Sequence, residues 1–227
     1  MRPKVLFEDN HFLIVDKPAG WLVQEDKTGD RTLTDWGKSY IKEKYDKPGA
    51  VFLHPCHRLD RPVSGIVILA RTSKGLERMN KLFREDTIKK EYLAIVKKGG
   101  YPVSDKLVHH LKKDGKKNFV HAYESSKNGT KEAELSYESL GADKSHRLLH
   151  ITPKTGRPHQ IRVQLAKIGA VIQGDLRYGY GTANPDKSIS LHAFRITFEH
   201  PVRNEKVVVT SLPGWQNFKP QIHELDR

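Results

Sequence analysis

The sequence predicts a strand-rich fold that also carries helices. Short apolar runs bounded by turn residues recur along the chain, among them Phe12-Leu13-Ile14-Val15 and Ile66-Val67-Ile68-Leu69, and they have the length and β-branched content of strands. Thr32 to Lys44 and Thr72 to Asp86 instead place their apolar residues at helical spacing. No repeat, linker or compositional break interrupts the 227 residues, which predicts one domain over 1–227 with a sizeable core.

Taken in order, Val5-Leu6-Phe7 and Phe12 to Val15 read as two strands around the polar turn Glu8-Asp9-Asn10-His11. Lys17-Pro18-Ala19-Gly20 breaks the chain, because proline removes a donor and glycine admits unusual dihedrals. In the first helix Leu33, Trp36, Tyr40 and Ile41 share a face, with both aromatics assigned to the core. Thr72 or Ser73 can cap the second helix, whose buried face is Leu76, Met79, Leu82 and Phe83. Lys89 to Val96 follows as a strand with Tyr92, Ala94 and Val96 in alternation.

Residues 97–131 are less regular. Lys112 to Lys117 and Ser125 to Lys131 are basic and turn-rich, and read as exposed loops on strands near Leu107 and Phe119-Val120. They suit either phosphate tracking or solvated hairpin tips. Glu134 to Leu140 and Arg147 to Ile151 continue as strands. Thr155-Gly156-Arg157 makes a turn, and Pro158 suits the first turn of a helix whose apolar face is Ile161, Leu165 and Ile168. Arg162 lies off that stripe and is expected to project toward a partner. Leu191 to Phe198 and Lys206 to Val209 are the last strands, and Pro213-Gly214-Trp215 ends the regular pattern.

The chemistry concentrates between His54 and Arg71. Asp60 stands between Arg58 and Arg61, and a polar loop around it opens directly onto the apolar run after Gly65. Opposite charge nearby favours an ionised carboxylate, and loops held by rigid strands are where catalytic groups tend to sit. The same residues also suit a structural ion pair at a turn.

The stretch His57-Arg58-Leu59-Asp60-Arg61-Pro62-Val63-Ser64-Gly65 resembles the His-Arg-Leu-Asp-x-x-Thr-Ser-Gly signature of the RluA family of RNA pseudouridine synthases, with Val63 in place of the usual threonine. Four further blocks in the family's order support the resemblance. They are Asp16-Lys17-Pro18-Ala19-Gly20, Lys90-Glu91-Tyr92-Leu93-Ala94-Ile95-Val96, Thr155-Gly156-Arg157-Pro158-His159-Gln160-Ile161-Arg162 and Leu191-His192-Ala193. Gly174-Asp175 and Tyr178-Gly179 match the family's continuation after the arginine block. Gln24 and Gln164 stand where many relatives carry histidine.

The resemblance implies an α+β pseudouridine synthase fold, with a largely antiparallel central sheet, flanking helices and a central active-site cleft. It implies Asp60 as the catalytic carboxylate, Arg162 as its partner and Tyr92 packed against the target base. Arg58 would enter the place vacated by the flipped base, and Leu191 would line the uracil pocket. His57 and Arg157, carried by the same motifs, join the substrate-binding set. Isomerising uridine to pseudouridine needs no redox change and no external group, so no cofactor and no metal is implied. The shared motifs do not separate ribosomal from transfer RNA. Many relatives carry an N-terminal S4 RNA-binding domain, for which the pattern here leaves no room. Target choice is therefore expected to rest on residues 109–131 and 179–188.

Composition agrees with an RNA partner. Lys and Arg number 40 against 27 Asp and Glu, a formal net charge of +13 that favours polyanions. The single cysteine, Cys56, allows no internal disulfide and no cysteine-based zinc cluster. No run approaches the roughly 18 apolar residues of a membrane span, and Met1 to Val5 lacks a signal peptide's apolar stretch. A cytoplasmic monomer is the expectation. A non-catalytic RNA-binding protein on the same scaffold is the alternative, and would predict loss of Asp60, Tyr92 or Arg162. A kinase is excluded because no glycine-rich loop or Asp-Phe-Gly segment accompanies His57-Arg58-Leu59-Asp60. A glycoside hydrolase would want a second marked carboxylate.

Overall fold

The computed structural model describes residues 2–115 and 117–225. Along the chain run β1 (Lys4–Glu8), β2 (Phe12–Lys17), α1 (Leu33–Lys44), β3 (His54–Pro55), β4 (Ser64–Ala70), α2 (Ser73–Arg84) and β5 (Lys89–Lys97). Then come β6 (Ser104–Asp114), β7 (Phe119–Tyr123), β8 (Lys131–Ala142), β9 (His146–Pro153), α3 (Gln160–Lys167), β10 (Leu191–Glu199), β11 (Lys206–Thr210) and α4 (Lys219–Glu224). The fold is α+β. The backbone groups into two compact units, Met1–Lys89 with Ala193–Pro213, and Lys90–His192 with Gly214–Arg227.

In the first unit β2 pairs antiparallel with both β1 and β4, β3 pairs with β4, and β11 pairs antiparallel with β10, which lies beside β4. Strands β2 and β4 read as unbroken apolar runs because both of their faces are covered. Phe12, Ile14, Ile66, Ile68 and Ala70 pack with Met79 of α2 and with Ile196, Phe198, Val207 and Val209. On the opposite face, Gly37 of α1 sits so close that an added Cβ would lie 2.5 Å from Leu53 Cδ2 and 3.5 Å from Leu13 Cδ2.

The cap of α2 is Thr72, one of the two residues the sequence offered, and α1 is capped as well. Thr32 forms a capping box with Asp35, and Thr72 Oγ1 accepts from the Gly75 amide. Trp36 and Tyr40 depart from expectation. They are half-buried and stack at 5.6 Å on the rim of α1, where the Tyr40 hydroxyl donates to Glu8. Gly37 lets the helix approach the sheet so closely that the buried stripe becomes Leu33, Thr34, Gly37 and Ile41.

The second unit is an antiparallel sheet in the order β5-β9-β8-β6-β7. Strand β5 is buried on both faces from Leu93 to Val96 and does not alternate. Lys112, Lys113 and Asp114 were expected in a loop, yet they complete β6 in register with His121, Val120 and Phe119. Their polarity reflects an outward-facing strand end, which composition does not distinguish from a loop. Lys116 lies outside the described residues. Helix α4 was not anticipated, because its six residues bury only Ile222 and so show no apolar period.

Candidate active site

The loop carrying Asp60 is tied down by the Lys17 block. Lys17 closes β2 and is fully buried, with Nζ 3.1 Å from Pro18 O, 3.0 Å from Trp21 O and 3.3 Å from Arg61 O. Three carbonyls and three ammonium protons match one for one. Burial pushes the Lys17 pKa down to about 7, while Asp60 and Asp16 pull it upward and Arg61 adds to the lowering. The Gly20 amide also donates to Arg61 O at 2.8 Å, and Arg61 Nε returns a bond to Gly20 O at 3.0 Å. The Arg61 guanidinium also takes Asp30 at 2.7 Å. Asp60 O accepts from the Val63 amide at 3.0 Å, so the loop turns sharply back into β4.

Gly65 makes that turn possible. Its φ is +112°, and a Cβ there would stand 2.4 Å from Ala193 O and 2.6 Å from Ala193 N. Only glycine permits both the dihedral and the approach of β4 to β10. Beside it Leu59 and Val63 anchor the loop in the core, Asp60 is half-buried and Arg58 is exposed. His57 turns inward, its Nε2 accepting from the Ile68 amide at 3.1 Å and its ring 5.1 Å from Phe83.

In the second unit α3 starts two residues after Pro158. His159 takes a left-handed conformation at φ 52°, and Gln160 holds the preceding turn. Gln160 Oε1 accepts from Thr155 Oγ1 and from the Arg157 amide, at 2.8 and 2.9 Å, while Nε2 donates to Glu134 O at 3.0 Å. Arg157 is exposed, with Nε on Glu132 O at 3.0 Å. The helix is buried nearly all round, from Gln160 to Leu165, which corrects the expectation of a single apolar stripe with Arg162 projecting from it.

Arg162 is 5% exposed and forms a two-pronged pair with Asp175, Nε to Oδ2 at 2.7 Å and Nη2 to Oδ1 at 2.8 Å. Its guanidinium lies 5.1 Å from the Tyr178 ring, and the Tyr178 hydroxyl meets His159 Nδ1 at 2.9 Å. Such a fork fixes the cation's direction as well as its charge.

The first unit thus gathers His57, Arg58 and Asp60 on one loop. The second carries Arg162 and Arg157 around α3, half-buried Tyr92 opposite Ile151 on β5, and buried Leu191 at the start of β10. Sequence reasoning assigned no role to Lys17, Gln160 or Asp175. All three lie in the motif blocks already quoted, and a lysine ending an apolar strand or an acid between Gly174 and Leu176 was the available signal. Among the described residues no three His, Cys, Asp or Glu side chains converge as a metal site requires, and no helix is long and apolar enough to cross a membrane.

Comparison with known proteins bears on this arrangement. A ribosomal large subunit pseudouridine synthase C from Buchnera aphidicola subsp. Acyrthosiphon pisum is 34% identical over 91% of the chain, and the chain spans 66% of that relative's length. A tRNA pseudouridine synthase C from Vibrio parahaemolyticus is 27% identical, with 91% of this chain and 88% of the relative covered. The solved structure of human RNA pseudouridylate synthase domain containing 4 superposes with a TM-score of 0.77 at 22% identity, over 98% of this chain and 92% of that one, which shows a shared fold. The family model described as RNA pseudouridylate synthase matches residues 11–167, a span holding both the Asp60 loop and α3, and the chain belongs to that family.

Proposed function

We propose that the protein isomerises uridine to pseudouridine in ribosomal or transfer RNA, with Asp60 as the catalytic carboxylate and the two units acting as one catalytic domain. The observation that carries this reading is the Asp60 loop itself. A half-buried carboxylate is held on a turn whose backbone is locked by Lys17, Gly20 and Gly65. Such rigidity suits a group that must meet one atom of a flipped nucleotide. The reaction breaks the C1′–N1 bond, turns the base and forms C1′–C5. N1 gains a proton and C5 loses one, so atoms and electrons balance within the nucleotide. A carboxylate can serve by attacking C1′, adding to the base or taking the C2′ proton.

In this reading Arg162, aimed by Asp175, pairs with Asp60, and Tyr92 and Leu191 enclose the uracil. Exposed Arg58 enters the gap left in the RNA, with His57 and Arg157 completing the substrate contacts. The names of the Buchnera and Vibrio relatives motivate the two RNA classes. Target choice rests on residues 109–131 and 179–188, and exchanging those segments with a relative's should move the modified position.

The test maps pseudouridine in total ribosomal and transfer RNA treated with purified protein. New sites with the wild type and none with Asp60→Ala are expected. Sites retained by Asp60→Ala would refute the catalytic assignment, and RNA binding without modification by the wild type would favour a non-catalytic binding protein.

A further inference from the structure

The outward face of β6 and β7 carries side chains that the proposed chemistry does not use. Strand β7 alternates Phe119, His121 and Tyr123 against Val120, and the two sets point to opposite faces. Val120 packs inward with Leu111, Ala133 and Val163 of α3. The other face is a row of rings. Phe119 meets His121 at 4.8 Å, and His121 meets Tyr123 at 6.4 Å. Lys127 Nζ sits 4.3 Å from the Tyr123 ring centroid, and Lys112 lies directly across the ladder from His121. His121 and Lys112 are exposed, and Phe119 and Tyr123 are half-buried.

We propose that this row is a stacking surface for unpaired bases of the RNA substrate. The proposal rests on the reading of the protein as an RNA-modifying enzyme and adds where single-stranded RNA lies. Charge complementarity selects the occupant. Residues 112–131 hold six lysines against Asp114 and Glu124, an excess of four positive charges. The rings stand 4.8 to 6.4 Å apart along one strand, with His121 exposed and Phe119 and Tyr123 half-buried, and lysines flank them. Aromatic rings accept any base, and interleaved cations follow the backbone, which is the combination single-stranded nucleic acid requires. Across the ladder Asp114 faces Phe119, and the Lys117 amide donates to its carboxylate at 3.2 Å, partly offsetting its charge.

The full-length protein and the double variant His121→Ala/Tyr123→Ala are compared by fluorescence anisotropy. The probes are a labelled oligouridine of about twelve nucleotides, within the span such surfaces cover, and a blunt RNA duplex. Loss of one base stack predicts roughly tenfold weaker oligouridine binding with duplex affinity unchanged. His121→Phe/Tyr123→Phe, which keeps the rings, should bind like the wild type. Less than a threefold loss for the alanine variant overturns the proposal, and so does an equal loss on the duplex, which reports a general defect. These outcomes hold whether or not the wild type makes pseudouridine. Ring-dependent binding without any modification would defeat the catalytic reading and leave the surface standing.

Discussion

Replacing Asp175 by alanine is the most direct test of how the arginine of α3 is held. Asp175 is 1% exposed and gives both carboxylate oxygens to Arg162, itself 5% exposed, at 2.7 and 2.8 Å. Deleting the acid leaves Nε and Nη2 of a buried guanidinium without those acceptors. Each charge-assisted bond is worth about 1.5–3 kcal/mol, and breaking a buried pair by removing one partner costs about 3–5 kcal/mol. A loss of about 4 kcal/mol is therefore expected, equivalent to roughly 8–16 °C in Tm for a chain of this size.

Urea denaturation of the purified protein, followed by circular dichroism, measures it. The double variant Arg162→Met/Asp175→Leu should recover much of the loss, because it removes the stranded charge and fills the space with apolar atoms. Asp175→Ala within about 1 kcal/mol of the wild type would refute the reasoning, since the fork could then not be what holds Arg162. Modification activity should fall in both variants, so stability and chemistry separate in the double variant.

Gly65→Ala should cost about 3 kcal/mol or more, combining strain at φ +112° with overlap onto the backbone of Ala193, and a stable, soluble variant would contradict it. Lys17→Met should take the Nζ donor from Pro18 O and Trp21 O, while Arg61 O keeps the Gly20 amide, cost about 2–4 kcal/mol and lower the single-turnover rate more than RNA affinity. Cys56 is packed against the core, and burial pushes its pKa up to about 12 despite a backbone hydrogen bond from Ala70. Alkylation by iodoacetamide at pH 8 should thus run on the order of 10³ slower than for an ordinary thiol. Burial alone would raise the Glu8 pKa, but bonds from Lys44, Tyr45 and Tyr40 outweigh it, and the folded value lies below the ordinary one. That contribution is complete above the ordinary glutamate pKa and is lost as pH falls through the lowered value. Glu8→Gln should flatten the acid limb of a stability–pH profile.

Much of this protein was legible before folding was considered. The strands of the first unit announce themselves because β2 and β4 are covered on both faces, and the caps at Thr32 and Thr72 are local hydrogen bonds that neighbouring residues dictate. The Asp60 loop stands out because a charged turn abuts an apolar run. Tertiary structure decided what depends on partners distant in the chain. Whether Lys112 to Asp114 are strand or loop is set by pairing with β7, since a solvent-facing strand end and a loop share the same polar residues. Trp36 sits on the rim because Gly37 draws α1 onto Leu53. Arg162 became a buried, forked cation only once Asp175 was brought beneath α3, and Lys17 became a clamp only once Arg61 O reached it. Residue type proposes the chemistry, but a charge buried next to its counter-ion is a fact of packing, which no local window of sequence contains.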